Sequence, residues 1–250
     1  MTDTRVDAFL GGRLSIRQPV RGYRAGADPV FLAAAVPASH GDRVLELGCG
    51  VGTALLCLNA RVPGVIATGV ERNENYAKLA RENLSANGQE ARIVTADIRD
   101  LPGDVTQESF DHAMLNPPFF DRAEGSQSTE ASREAGRGRR EGFQTWCDAA
   151  LKRLRPGGTL TIINRVEGLP ETLAALSERA GDIRLLPLQP RRQKPAKLFI
   201  LNGKKASKSP FQLRPPLVLH TGNAHLKDGD SYTEEAAGIL RKGHALSLWD

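Results

Sequence analysis

VLELGCGVG, residues 44–52, is an apolar run of strand character that closes on three glycines spaced two apart and passes into a helical run, Thr53–Asn59. A strand that ends in small residues at the start of a helix lets backbone come close to whatever lies above it, and the first helical turn adds unpaired N–H donors. This is the design of a nucleotide site at the carboxyl end of the first strand of a doubly wound sheet. The spacing Gly48-x-Gly50-x-Gly52 differs from the GxGxxG of pyrophosphate binders. Glu46 stands two residues ahead of the first glycine, where it would repel a pyrophosphate and suit a cation.

Outward from this turn, strand and helix signals alternate. Arg43–Leu47, Val65–Val70, Arg92–Ala96, His112–Leu115, Thr159–Ile163, Ile183–Leu188 and Lys197–Leu201 read as strands. Asn73–Ala86, Phe143–Leu154 and Leu169–Ala180 read as helices, the second stopped by Pro156-Gly157-Gly158. Such alternation predicts an α/β fold with a parallel sheet wrapped by helices. Ahead of it, Phe9–Leu14 predicts a hairpin turning on Gly11-Gly12, and Ala27–Val36 a helix closed by Pro37. Near the end, Leu217–Leu219 predicts one more strand, and Ser231-Tyr232-Thr233-Glu234 a capping-box start to a last helix. The expected organisation is an extension, residues 1–40, packed on one globular domain, residues 41–250.

Two more acids fall at successive strand ends. Glu71 follows Gly52 by 19 residues, where a carboxylate accepts from both ribose hydroxyls. Asp97 follows the next strand, placed to accept from an adenine amino group, with the backbone of Ile98 donating and its side chain packing on the ring. A nucleoside ligand carrying a cation fits this set, and S-adenosylmethionine (AdoMet), with its sulfonium and ammonium groups, is one.

The totals bound the answer further. At 250 residues, 40% of them apolar, the chain can build one large α/β core. No apolar run approaches the roughly 20 residues of a membrane span, and the first residues lack a signal-peptide pattern. Three scattered cysteines without a CxxC or Cys/His cluster predict no metal and a cytoplasmic protein. The net charge is +5, yet Pro190–Arg214 holds eight basic residues and no acid, so removing that stretch leaves −3. Positive charge concentrated in this way suits a phosphate backbone. A second concentration lies in the long polar segment 121–142, where Arg133, Arg137, Arg139 and Arg140 crowd the later half.

The remaining irregularity is LNPPFF, residues 115–120. A strand stops at Asn116 because proline cannot continue a ladder. At the carboxyl end of the fourth strand, the Asn116 side-chain oxygen and the Pro117 carbonyl can accept the two N–H groups of a conjugated amine, drawing its nitrogen towards tetrahedral geometry. Pro117 and Pro118 fix φ, which aims the carbonyl in advance, and Phe119 offers a face for a base to stack on.

These residues resemble a class I, AdoMet-dependent methyltransferase. The resemblance is carried by Glu46, Gly48, Gly50, Gly52, Glu71 and Asp97, and by the Asn-Pro-Pro-aromatic motif of amino-group methyltransferases. It implies a Rossmann-like seven-stranded sheet in the order 3-2-1-4-5-7-6, with strand 7, Lys197–Leu201, antiparallel. Cys49 and Arg72 join the implied cofactor set, and no metal is required. Among the amino-group enzymes, the chain is most similar to the tRNA adenine-N6 methyltransferases that modify position 37 of a valine tRNA. The similarity rests on Gln18–Val36, Phe119-Phe120, Pro215–Val218 and Tyr232–Glu235. Protein glutamine N5-methyltransferases and guanine-N2 rRNA methyltransferases share the proline motif and stand as alternatives. The tRNA resemblance places Gly26 and Asp28 over the methionine end of the cofactor and Arg24 near the substrate mouth. It also assigns Arg137, Arg139, Arg140, Arg191, Arg192, Lys194, Lys204 and Lys205 to tRNA phosphates, with no role for a membrane.

Overall fold

The computed structural model describes residues 3–22, 24–117, 142–222 and 231–249. Pro118, Phe119, Arg137, Arg139 and Arg140 lie outside the described residues, as does nearly all of the polar segment 121–142.

A hairpin opens the chain: β1, Thr4–Phe9, pairs antiparallel with β2, Leu14–Pro19. Helix α1, Asp28–Ala35, follows it. The glycine turn then joins β3, Arg43–Leu47, to α2, Thr53–Arg61. Next come β4, Ile66–Glu71; α3, Glu74–Ala86; β5, Arg92–Thr95; a short α4, Gly103–Thr106; and β6, Phe110–Leu115. A helix over 142–153, α5, leads to β7, Leu154–Arg165, then α6, Leu169–Leu176, β8, Ala180–Gln189, and β9, Leu198–Lys205. Two short strands, β10 (Gln212–Leu213) and β11 (Leu217–Val218), precede α7, Glu234–Lys242.

The core of the sheet runs β5-β4-β3-β6-β7-β9-β8, with β9 antiparallel to both neighbours. This is the expected order of seven strands. The strand expected at Leu217–Leu219 is β11, and the structure adds β10, both parallel to the outer edge of β8. Arg214 N–H donates to Leu185 O at 2.8 Å and Leu219 N–H to Gln189 O at 2.8 Å. Between them Pro215 and Pro216 have no N–H to give, so one edge strand is split in two.

Period-two alternation divides the core into two layers. Val44, Ala67, Met114 and Ile163 face α1, α2 and α7, while Leu45, Leu47, Val70, Leu115 and Ile162 face α4, α5 and α6. Leu10, Leu14 and Ile16 of the hairpin segment bury into the first layer. Truncating one of these fully buried leucines, such as Leu45, costs about 2–5 kcal/mol.

Some boundaries differ from expectation for local reasons. Helix α6 stops at Leu176 because Ser177 turns extended and Ala180 pairs with Lys205 as the start of β8. Strand β7 begins at Leu154, and its register on β6 shifts between Phe110 and His112 to absorb the Pro-Gly-Gly. The N-cap of α7 is Thr233, whose hydroxyl accepts from Ala236 N–H at 3.2 Å, rather than Ser231. Ser231 is drawn aside by the His220 ring at 3.0 Å. No helix among the described residues is long and apolar enough to cross a membrane.

Candidate active site

The parallel strands β3, β4, β5, β6 and β7 all end at one edge of the sheet, and every residue there inherits its position from that shared direction. Leu47 pairs with Leu115, so the glycine turn and Asn116 leave adjacent strands side by side.

The turn needs its glycines. Gly48, Gly50 and Gly52 have φ of +71°, +54° and +84°, a region costly for residues with a Cβ. A Cβ on Gly48 would also come within 2.5 Å of the Trp146 ring on α5. A Cβ on Gly50 would meet nothing within 4 Å, so open space lies above the middle of the turn. Glu71 ties the turn down: its two carboxylate oxygens accept from Gly50 N–H at 3.0 Å and Asn73 N–H at 2.8 Å. Each oxygen keeps a second lone pair.

Glu46 points into the layer under α2, 3% exposed, with backbone support from Leu55 in the first turn of that helix. Its Oε2 has no hydrogen-bond partner among the described residues. Burial, with the Glu71 charge nearby, raises its carboxyl to about 8. Cys49, buried beside it, has a thiol pushed far up by burial and by the two glutamates, so it is an inert packing group. Asp97 stands at the end of β5. Arg99 grips it through Nε and Nη2 at 2.9 and 2.7 Å and holds its carboxyl down to about 2. Exposed Arg72 adds to the same field, and Ile98 packs half-buried against the second layer.

The segment between hairpin and α1 passes over this edge. A Cβ on Gly22 would sit 2.9 Å from the Tyr76 hydroxyl in the first turn of α3. At the far side Asp28 opens α1 within the field of Arg165 at the end of β7, and burial raises its carboxyl. Gly26 lies between, exposed. Buried Gln18 holds the path: Ala25 N–H donates to Gln18 Oε1 at 2.8 Å, and Gln18 Nε2 donates to Asp7 at 2.9 Å. Arg24 also binds Asp7, at 2.8 Å.

Asn116 is half-buried at the end of β6, with Pro117 buried behind it. An open turn, an orphaned buried carboxylate oxygen and two carboxylates with spare lone pairs fit a cationic nucleoside. Glu46, Glu71 and Asp97 would hold its charge, ribose and base, respectively.

The basic residues divide. Arg192 and Lys194 lie in the connection from β8 to β9, at the same edge as Asn116, and are exposed. Arg191 is in that connection too, but it is 9% exposed and donates to Thr221 O and Gly222 O. Lys204 and Lys205 lie at the opposite edge because β9 runs antiparallel. Lys204 pairs with Asp182 at 3.0 Å, and Lys205 donates to Leu154 O at 2.5 Å. Sequence reasoning passed over Gln18, Asn83, Trp146 and Arg165. A half-buried Trp four residues into a helix and an Asn in a helical run read alone as packing, and their partners are distant in sequence.

Sheet order, glycine turn and strand-end acids together define a class I methyltransferase. The profile of the methyltransferase small domain family matches residues 27–185, more than half of the chain, and the chain belongs to that family. Its methyl donor is AdoMet. Relatives include the tRNA1(Val) (adenine(37)-N6)-methyltransferases of Haemophilus influenzae and Tolumonas auensis. The first is 28% identical over 62% of this chain and 67% of its own length, the second 28% over 70% and 72%. Among solved structures, a predicted O-methyltransferase from Agrobacterium tumefaciens superposes with a TM-score of 0.72 at 23% identity, over 88% of this chain and 98% of that one. The 16S rRNA N2 G1207 methyltransferase of Thermus thermophilus, in complex with AdoMet and guanosine, gives 0.55 at 20%, over 81% and 50%. At these identities the likeness concerns the fold.

Proposed function

We propose that the protein methylates N6 of an adenine in a tRNA anticodon loop, position 37 of a valine tRNA, in the cytoplasm. The observation that carries the reading is the placement of half-buried Asn116 beside the glycine turn, at the carboxyl end of β6. The substrate follows the curated relatives.

AdoMet supplies an electrophilic methyl group on a sulfonium centre. Asn116 Oδ1 and the Pro117 carbonyl accept the two N–H groups of the adenine amine, which turns its lone pair out of conjugation. Both acceptors are neutral, so neither competes as a counter-ion for the sulfonium. An amide does not take up a proton at neutral pH, so the proton lost from nitrogen passes to water. Positioning supplies most of the rate. Phe119 stacks on the base once it has left its neighbours, a cheap step in a loop. Arg24, Arg192 and Lys194 at the mouth hold phosphates, and residues 1–40 pack on 41–250 as one folding unit.

Mass spectrometry of tRNA nucleosides after reaction tests this: N6-methyladenosine is expected. Labelled methyl in a release factor, with none in tRNA, overturns it in favour of the glutamine reading.

A further inference from the structure

Strand β2 has two edges. One pairs with β1; the other meets α3 through side chains. Ser15 N–H donates to Asn87 Oδ1 at 2.9 Å, and Asn87 Nδ2 donates back to Ser15 O at 2.9 Å. Arg17 N–H donates to Asn83 Oδ1 at 2.8 Å, and Asn83 Nδ2 donates back to Arg17 O at 3.0 Å. Two asparagines one helical turn apart rise about 6 Å, close to the roughly 6.7 Å between alternate strand residues. Each carboxamide carries a donor and an acceptor, as a peptide unit does. The pair therefore substitutes for a neighbouring strand.

Asn83 does more than Asn87. Its second amide hydrogen goes to Val51 O at 3.0 Å, inside the glycine turn, and the residue is 2% exposed. Flipping the amide would aim its oxygen at two carbonyls, so the network fixes its orientation. Val51 lies between Gly50 and Gly52, both at positive φ, where the peptide planes are free to rotate. Gly52 N–H donates to Cys49 O at 2.8 Å, Glu71 holds Gly50 N–H, and Asn83 holds Val51 O.

We propose that Asn83 is a positioning residue for the cofactor: it sets the Val51 carbonyl, and through Arg17 couples docking of the hairpin to AdoMet binding. The glycines allow the turn its shape, and Asn83 removes the freedom they bring, so that the turn is ordered before the ligand arrives. Coupling of this kind is reciprocal. The inference rests on AdoMet being the cofactor and is independent of which amine is methylated.

The test compares Asn83→Ala with Asn87→Ala, which loosens the same strand edge without touching the turn. AdoMet affinity is measured by calorimetry and melting temperature without ligand. Asn83→Ala is expected to weaken AdoMet about tenfold, the scale of one lost buried hydrogen bond, and Asn87→Ala less than about twofold at a comparable drop in melting temperature. Asn83→Asp, which keeps the acceptor for Arg17 but faces Val51 O with an anion, should bind at least as weakly as Asn83→Ala. Losses that track melting temperature in both variants, or unchanged affinity in Asn83→Ala, overturn the proposal. A wild-type protein that fails to bind AdoMet instead removes the cofactor reading beneath it. Should Asn83→Ala not fold, hydrogen exchange of the wild type decides: AdoMet must slow exchange at Arg17 in β2 as well as in the turn, and protection confined to the turn refutes the coupling.

Discussion

The basic run from Pro190 to Arg214 is continuous in sequence and divided in space. Arg192 and Lys194 emerge after β8 at the edge where β3, β4, β5 and β6 end, the edge that also carries the glycine turn and Asn116. Lys204 and Lys205 emerge at the other edge, ten to thirteen residues later, because β9 carries the chain back across the sheet. At that far edge the charges are spent on the fold. Asp182 takes both Arg184 and Lys204, and Arg184 and Lys204 each lie 4.2 Å from the Trp249 ring, which fastens the C-terminal tail. At the near edge the side chains of Arg192 and Lys194 reach solvent. The comparison teaches that a count of positive charge along a chain says little until strand direction has sorted it.

The largest expected effect falls at the near edge. Asn116→Ala should lower methyl transfer by on the order of 10³-fold, with AdoMet affinity and melting temperature nearly unchanged. Activity within tenfold of wild type would remove the edge from the chemistry. Gly48→Ala comes next. Its positive φ and the Trp146 ring both oppose a methyl group, so AdoMet binding should weaken about a hundredfold. Calorimetry reads the loss; an unaltered titration would show that the turn tolerates rearrangement.

The third effect depends on pH. Glu46, raised to about 8 by burial, is largely neutral in the free protein at pH 7. A bound cation favours its carboxylate, so binding releases a proton below about pH 8. Affinity should therefore rise, by up to about tenfold per pH unit, as pH climbs towards 8, and level off above it. For folding, the same raised value means that this group's contribution is greatest below about 4.5 and declines as pH rises to about 8. Glu46→Gln should remove the protein's share of both slopes, and a slope that survives the substitution assigns it to another group.

The smallest effect compares the two edges directly. Reversing Arg192 and Lys194 to Glu should weaken tRNA binding severalfold and flatten its salt dependence, without loss of stability. Lys204→Ala with Lys205→Ala should do the converse, lowering the melting temperature by a few degrees and leaving tRNA affinity within about twofold. Equal effects on tRNA from both pairs would dissolve the distinction.

Much of this molecule is legible in local pattern. β3 is visible to the residue, since Arg43–Leu47 carries Val44, Leu45 and Leu47 between an aspartate turn and a glycine. The glycine turn, the acids Glu46, Glu71 and Asp97, and the proline corner at 116–117 all follow from residue types at short spacing. Boundaries that depend on partners were less visible. Neither the split edge strand nor the early end of α6 can be read without β8, and Ser231 loses the cap of α7 to Thr233 because His220 takes its hydroxyl.

By itself the sequence determined the class of sheet, the glycine turn and the amide at the end of the fourth strand, because each is encoded within a few consecutive residues. Only tertiary structure decided that Arg191 is a buried clamp, that Lys204 and Lys205 face away from the site, and that Asn83 joins a hairpin strand to the glycine turn. The contacts from Asn83 to Arg17 and Val51 span 66 and 32 residues, and no local signal in an amphipathic helix distinguishes an asparagine that faces solvent from one that spans two elements.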